Sequence, residues 1–194
     1  MKKVGLIALF IVLLVFTRFF NLENTTRFIW DESSDLVRTH QIYVDKNITF
    51  VGPISENGAK VFGSLAYYLA MPFEAMGRFD PLSPVYGTVI GGILTAIGIL
   101  ILSRKINPLR SLLLVGLIVL AWFPLLQASR SGLWAWHVSY IPMWLTLGVL
   151  LFLRQRTLNT ILAGFFLGLS LHHHYIAIFA ILSFALASAR RWLL

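Results

Sequence analysis

Two adjacent carboxylates, Asp31 and Glu32, follow the apolar triplet Phe28-Ile29-Trp30, and Asp35 stands three residues later. Carboxylates so placed can accept a proton from a hydroxyl nucleophile, or hold a divalent cation through their oxygens. The apolar triplet would keep that chemistry at head-group depth, because indole rings settle at the membrane–water boundary. A plainer role for Asp31 is to cap a helix, whose dipole favours the ionised form. The residues alone leave both readings open.

All eight acids of the 194-residue chain lie between Glu23 and Asp80, in company with five basic residues. The rest of the chain carries eleven basic residues and no acid. The net charge of +8 is therefore a topology signal, not a footprint for nucleic acid. With 58% hydrophobic and 12% charged residues, the composition is that of an integral membrane protein. The absence of cysteine excludes disulfides, thiolate catalysis and Cys-ligated zinc. A carboxylate in lipid costs roughly 3 kcal/mol on insertion scales, which keeps acids out of the apolar runs. Glu23, Asp45, Glu56, Glu74 and Asp80, scattered among polar residues, are expected on an ordinary solvated surface.

The elements that must position the pair are helices. Uncharged runs at roughly 82–103, 111–127, 141–153, 158–171 and 175–189 follow a first apolar stretch, Val4–Phe20, broken only by Thr17 and Arg18. No small-residue cleavage site follows that stretch, so it reads as an uncleaved helix. The sequence thus predicts an all-α, polytopic membrane fold of about six spans in a single module, residues 1–194. Alternate threading puts Lys2, Lys3, Arg104, Lys105, Arg110, Arg154, Arg156, Arg190 and Arg191 on one side. By the positive-inside rule that side is cytoplasmic, and residues 21–80, 128–140 and 172–174 face outward. The last two runs are shorter than the roughly 20 residues a bilayer core needs. Tilting into neighbours, or continuation through the histidines, would make up the length.

Two amphipathic surface helices are expected in the outward loop. If Asp31 caps the first, Leu36, Val37, His40, Tyr43 and Val44 form one apolar stripe against the membrane. After the turn-forming "VGPISENG", Val61, Leu65, Tyr68 and Leu69 repeat the helical spacing. A seventh span there would move the later basic clusters outside, so a second surface helix is preferred.

Several short stretches in order resemble polyprenyl-phosphate-dependent membrane glycosyltransferases of the GT-C fold. They are "TRFFNL", "WDES", "VGPIS", "SLAYYLAMPF", "SRSGLWAWHVSYIP" and "GLSLHHHY". The likeness is to glycosyltransferase family 39 and its RgtA/B/C/D-like relatives, the protein-mannosyltransferase and aminoarabinose-transferase type, and it runs along essentially the whole chain. It implies an inverting enzyme in a prokaryotic plasma membrane. Such an enzyme moves a sugar from a polyprenyl-phosphate donor to a hydroxyl of a glycan, lipid or protein acceptor on the outer face. By this resemblance Asp31 is the base and Glu32 its neighbour. A divalent cation held by the pair is compatible with the reaction but not required by it. These enzymes usually continue through further spans, so the chain is expected to be the amino-terminal part of a longer protein.

The departing lipid phosphate needs positive charge or N–H donors. Lys60 is the first candidate, followed by Arg130 with His137. The resemblance adds His174 and Tyr175, a pair that recurs after the corresponding helix. Each has a plain alternative, as a topology-setting charge or an interfacial side chain. Trp134, Trp136 and Tyr140 read as an interfacial aromatic belt. His172, His173 and His174 cannot converge on one metal from a regular helix, where successive residues point about 100° apart. Two other functions fit the span count, a lipid or small-solute transporter or flippase subunit and a noncatalytic membrane scaffold. The transporter reading is weakened because the five later runs hold no Asp, Glu, Lys, Arg or His.

Overall fold

A computed structural model describes residues 2–26, 30–54, 61–104 and 137–189. It is mostly helical, as expected. The helices are α1 (Lys2–Phe19), α2 (Leu22–Thr25), α3 (Trp30–Asp45), α4 (Leu65–Met76), α5 (Ser83–Arg104), α6 (Ile141–Phe152), α7 (Thr157–His173) and α8 (Ala177–Ala189). A 3-10 turn, His137–Tyr140, leads into α6. Between α3 and α4 lies an antiparallel hairpin of β1 (Val51–Ile54) and β2 (Val61–Gly63), which pairs Val51 with Gly63 and Ile54 with Val61. Val61 therefore belongs to a strand and not to the second surface helix. The β-branched Val61 with Phe62 suits a strand, and Ser64 ends it as the residue before α4.

Charge and proline set the helix limits. The uncharged run at 82–103 becomes α5, entered from the Asp80 turn, where Ser83 donates its hydroxyl to the Asp80 carbonyl at 2.6 Å. Pro142 starts α6 without loss, since a residue in the first helical turn has no intrahelical partner for its N–H. α7 runs past the predicted 171 through His173. Ser83–Leu102 is long and apolar enough to cross a membrane. The apolar stretches Ile7–Phe19, Val138–Phe152 and Ala177–Leu186 are shorter. The predicted span at 111–127 lies outside the described residues.

α5 is the hub. α1 packs on its middle through Phe10 and Leu14 against Ala96 and Leu100, and Leu22 of α2 meets Val85 and Val89 nearer its start. α3 leans on α4, α4 on α5, α5 on α6, and α6 on α7. The last contact is close because Gly148 lacks a side chain. A Cβ there would stand 2.9 Å from Leu167 and 3.3 Å from the Ala163 carbonyl. Gly164, by contrast, looks into open space. Gly148→Leu is thus expected to destabilise by about 1–3 kcal/mol through overpacking, read as a lowered unfolding midpoint in detergent. Gly164→Leu should leave the midpoint where it was; equal loss in both variants would refute the close-packing argument.

Candidate functional site

The face that α3 turns inward is not the one its apolar periodicity selects. Glu32, Leu36, Thr39 and Ile42 are buried, with Asp35 half-buried among them. Of the expected stripe only Leu36 is covered. Val37, His40, Tyr43 and Val44 are exposed, Val37 and Val44 by more than half. The helix is rolled so that Glu32 and Asp35 meet protein alongside Leu36 and Ile42, while Val37 and Val44 face outward. Part of the outward face is roofed by Phe79, whose ring lies 4.6 Å from His40 and 5.3 Å from Tyr43. Phe79 reaches that position from a left-handed backbone (φ 59°), and Arg78 before it has φ 56°. Such conformations are uncommon for residues other than glycine.

α4 supplies the opposite wall. Ala66, Tyr67, Ala70 and Glu74 recur at helical spacing on the side facing α3, and Ala66, Tyr67 and Glu74 are buried. Tyr68, on the neighbouring face, ties the chain leaving α3 to α4, since its hydroxyl accepts from the Thr49 N–H and donates to the Thr49 carbonyl, both at 2.8 Å. A pocket forms between the two helices. Its polar lining is Glu32, Asp35, Thr39, Tyr67, Glu74 and Tyr140, and Ala66, Ala70 and Pro84 complete it. Its interior, about 10 Å³, is close to the smallest space that holds one water molecule. It can take a single polar group, such as a hydroxyl, but not a sugar ring.

The electrostatics follow from burial. The Glu74 carboxyl is 1% exposed, and its Oε2 finds no hydrogen-bond partner among the described residues. Burial, reinforced by the Asp35 charge, pushes it up to about 8, although contact with the Thr39 hydroxyl works the other way. Glu74 was expected on a wet surface; it is instead the most deeply buried acid of the pocket. Burial and then Asp35 also raise the Tyr67 phenol, opposed by Arg38. Tyr140, expected in an interfacial belt, is 5% exposed, with its hydroxyl unpartnered among the described residues. Gly87 makes room for it, because any Cβ there would collide with that hydroxyl.

The residues predicted from sequence divide between the described and the undescribed. Asp31 is the second residue of α3, inside its first turn, and so does not cap it; its side chain lies outside what is described. Glu32, one residue on, is 2% exposed and lines the pocket. Lys60 and Arg130 lie outside the described residues, as do Trp134 and Trp136, and His137 is described only as the start of the 3-10 turn. The three histidines diverge. His172 lies against Gly63 of β2, where a side chain would collide with its imidazole. His173 is fully buried, its ring 5.4 Å from Tyr140 and 6.4 Å from Trp144. His174 leaves the helix, and its Nδ1 accepts the Ile176 N–H at 3.1 Å. Tyr175 is half exposed, its ring 4.2 Å from that of His174, and neither residue lines the pocket. Among the described residues no group of three or more His, Asp and Glu converges in a way that could hold a metal ion.

Sequence reasoning missed Glu74, Tyr67, Thr39 and Tyr140. A signal for Glu74 existed: it is the sole charged residue in the run Leu65–Met76, where a carboxylate must find a polar setting or lose its charge. Comparison of the chain with protein-family models, curated proteins and solved structures returns no match. What fold and site define is a mostly helical protein with, among the described residues, one membrane-length helix and a water-sized, acid-lined pocket between two short helices.

Proposed function

We propose that the protein is a polytopic membrane glycosyltransferase of GT-C type, moving a sugar with inversion from a polyprenyl phosphate to an acceptor hydroxyl at the outer membrane face. The observation that carries this reading is the roll of α3, which directs Glu32 and Asp35 into a pocket sized for one hydroxyl, directly after the first-turn residue Asp31. An acid-bearing surface helix has no reason to bury its carboxylates for solubility. Several helices also carry large apolar side chains outward, among them Val12 and Phe16 of α1, Ile161 and Phe165 of α7, and Phe179 and Leu186 of α8. That is the pattern of helices solvated by lipid and supports several spans.

In the reaction the acceptor oxygen attacks the anomeric carbon, and its proton passes to Asp31. The bond from that carbon to the phosphate oxygen breaks, and the polyprenyl phosphate leaves with the electron pair. A carboxylate of ordinary basicity takes the proton late, as the new bond forms, so its work is largely to hold the hydroxyl in line. Glu32, one residue on, lines the pocket, where it can bind a second polar group of the acceptor. Lys60, Arg130, His137, His174 and Tyr175 are the candidates to receive the phosphate. The packing of His172 on Gly63 supports grouping two of them. Lys60 is three residues, at most about 11 Å of chain, from Gly63, and His174 is two residues beyond His172.

The test is transfer in membranes that contain the protein, from polyprenyl-phosphate sugars of varied head group to a hydroxyl acceptor, followed by release of polyprenyl phosphate. Sugar-dependent release that requires the acceptor is expected. Gradient-driven solute uptake by reconstituted vesicles, without such release, would replace the enzyme reading by the transporter one.

A further inference from the structure

Two residues of the pocket each bring a polar atom that has no hydrogen bond among the described residues, Glu74 with its Oε2 and Tyr140 with its hydroxyl. The residues are 1% and 5% exposed, so bulk water does not serve either atom. They come from different elements. Glu74 belongs to α4, whereas Tyr140 ends the 3-10 turn, and its hydroxyl lodges at Gly87, one turn along α5 from the lining residue Pro84. Buried polar groups are nearly always paired, so two unpaired ones bordering the same small space mark it as a place for a guest that bonds to both.

The character of that guest follows from the rest of the lining. Glu32, buried, and Asp35, half-buried, border the same space and keep contacts of their own, while no cationic side chain lines it among the described residues. A neutral hydroxyl would bring one donor and no charge. A primary ammonium brings three donors together with the positive charge that buried carboxylates require. Its head is about the size of a water molecule, which suits an interior of about 10 Å³; methyl groups on the nitrogen would not fit.

We propose that the pocket is a binding site for a primary ammonium group, held by the Glu74 carboxylate and the Tyr140 hydroxyl, with Glu32 and Asp35 around it. Asp35 and Ala70 are the lining residues that reach the surface, so the remainder of the ligand leaves past them. Burial keeps a proton on Glu74 where no positive charge stands beside it; the arriving ammonium supplies that charge, and the proton goes to solvent. The substrate class, unlike the site, rests on the transferase reading above. Because Asp31 adjoins Glu32, the acceptor is an amino alcohol, its amine in the pocket and its hydroxyl at Asp31.

The experiment is thermal unfolding of the full chain in lipid nanodiscs with rising methylammonium chloride, beside tetramethylammonium chloride and potassium chloride at equal ionic strength. Methylammonium should raise the midpoint saturably, as a ligand of the folded state does, and the other two should not. Glu74→Gln should weaken half-saturation by roughly tenfold or more and Tyr140→Phe by about fivefold, the usual worth of a charged and a neutral hydrogen bond. The rise is read within each variant, so a change in basal stability does not mask it, and the comparison of salts on the wild type needs no variant. The site is overturned if the three salts act alike, if potassium matches methylammonium, or if Glu74→Gln responds like the wild type. Transfer to ethanolamine and to N-acetylethanolamine separates the two claims. A preference for the free amine of roughly tenfold or more in kcat/KM is expected. Equal use of both overturns the amino-alcohol acceptor, and the salt response without any transfer retires the enzyme and leaves the ammonium site.

Discussion

Asp31→Asn is expected to abolish measurable sugar transfer, with kcat lowered by about 10²–10⁴-fold, the usual worth of a general base. The substitution keeps the shape of the side chain and its capacity to accept a hydrogen bond in the first turn of α3, so insertion and helix content should persist. What it removes is the charge that draws off the acceptor's proton. Glu32→Gln should act differently. Its carboxyl lines the pocket that binds part of the acceptor, so KM for the acceptor should rise along with a smaller fall in kcat. If Asp31→Asn turns over normally while Glu32→Gln is dead, the base is Glu32.

The second large effect concerns stability. The Glu74 carboxyl stands at about 8 in the folded protein against 4.5 for an ordinary glutamate. Between those values the folded state holds a proton that the unfolded state has released. Stability is thus full below the ordinary value, falls as pH rises through the window, and levels off above about 8. Each unit of that window is worth roughly 1.4 kcal/mol at most, so the whole fall is on the order of several kcal/mol. Glu74→Gln should therefore unfold at a nearly constant midpoint where the wild type's midpoint declines, and the difference between them isolates this group from other titrations. Parallel midpoint curves would show that Glu74 ionises in the folded protein as freely as in water.

Much of the helical frame was legible in the residues. An uncharged run bounded by Asp80 and Arg104 could hardly be anything but α5, and the proline-led run from Ile141 and the runs from Leu158 and Tyr175 gave α6, α7 and α8 to within a few residues. The orientation of α3 was not legible. Periodicity finds an apolar stripe, but it cannot say whether that stripe faces a core or the outside, and in a lipid setting the outside is also apolar. Leu36 was consistent with either roll; Val37 and Val44, with Glu32 and Thr39 opposite, decide it. Burial of Glu74 and Tyr140 was beyond local reasoning for a related reason. Each depends on an element distant in sequence, Glu74 on Thr39 and Tyr140 on the vacancy at Gly87. Adjacent carboxylates at the start of α3 announced themselves; the acid that shares a pocket with Glu32, some forty positions later, did not.

The rolled α3 has oil on its outer edge and acid on its inner one. Val37 and Val44 share a helix with Glu32, so the medium that wets them acts on the helix that carries Glu32 into its pocket. Transferring the protein from a bilayer to a short-chain detergent changes the outer contact while leaving the inner one untouched in composition. If the proposed membrane setting holds, lipid thickness and micelle choice become variables of the pocket itself, and solubilised preparations of identical purity should differ in how firmly that helix is seated.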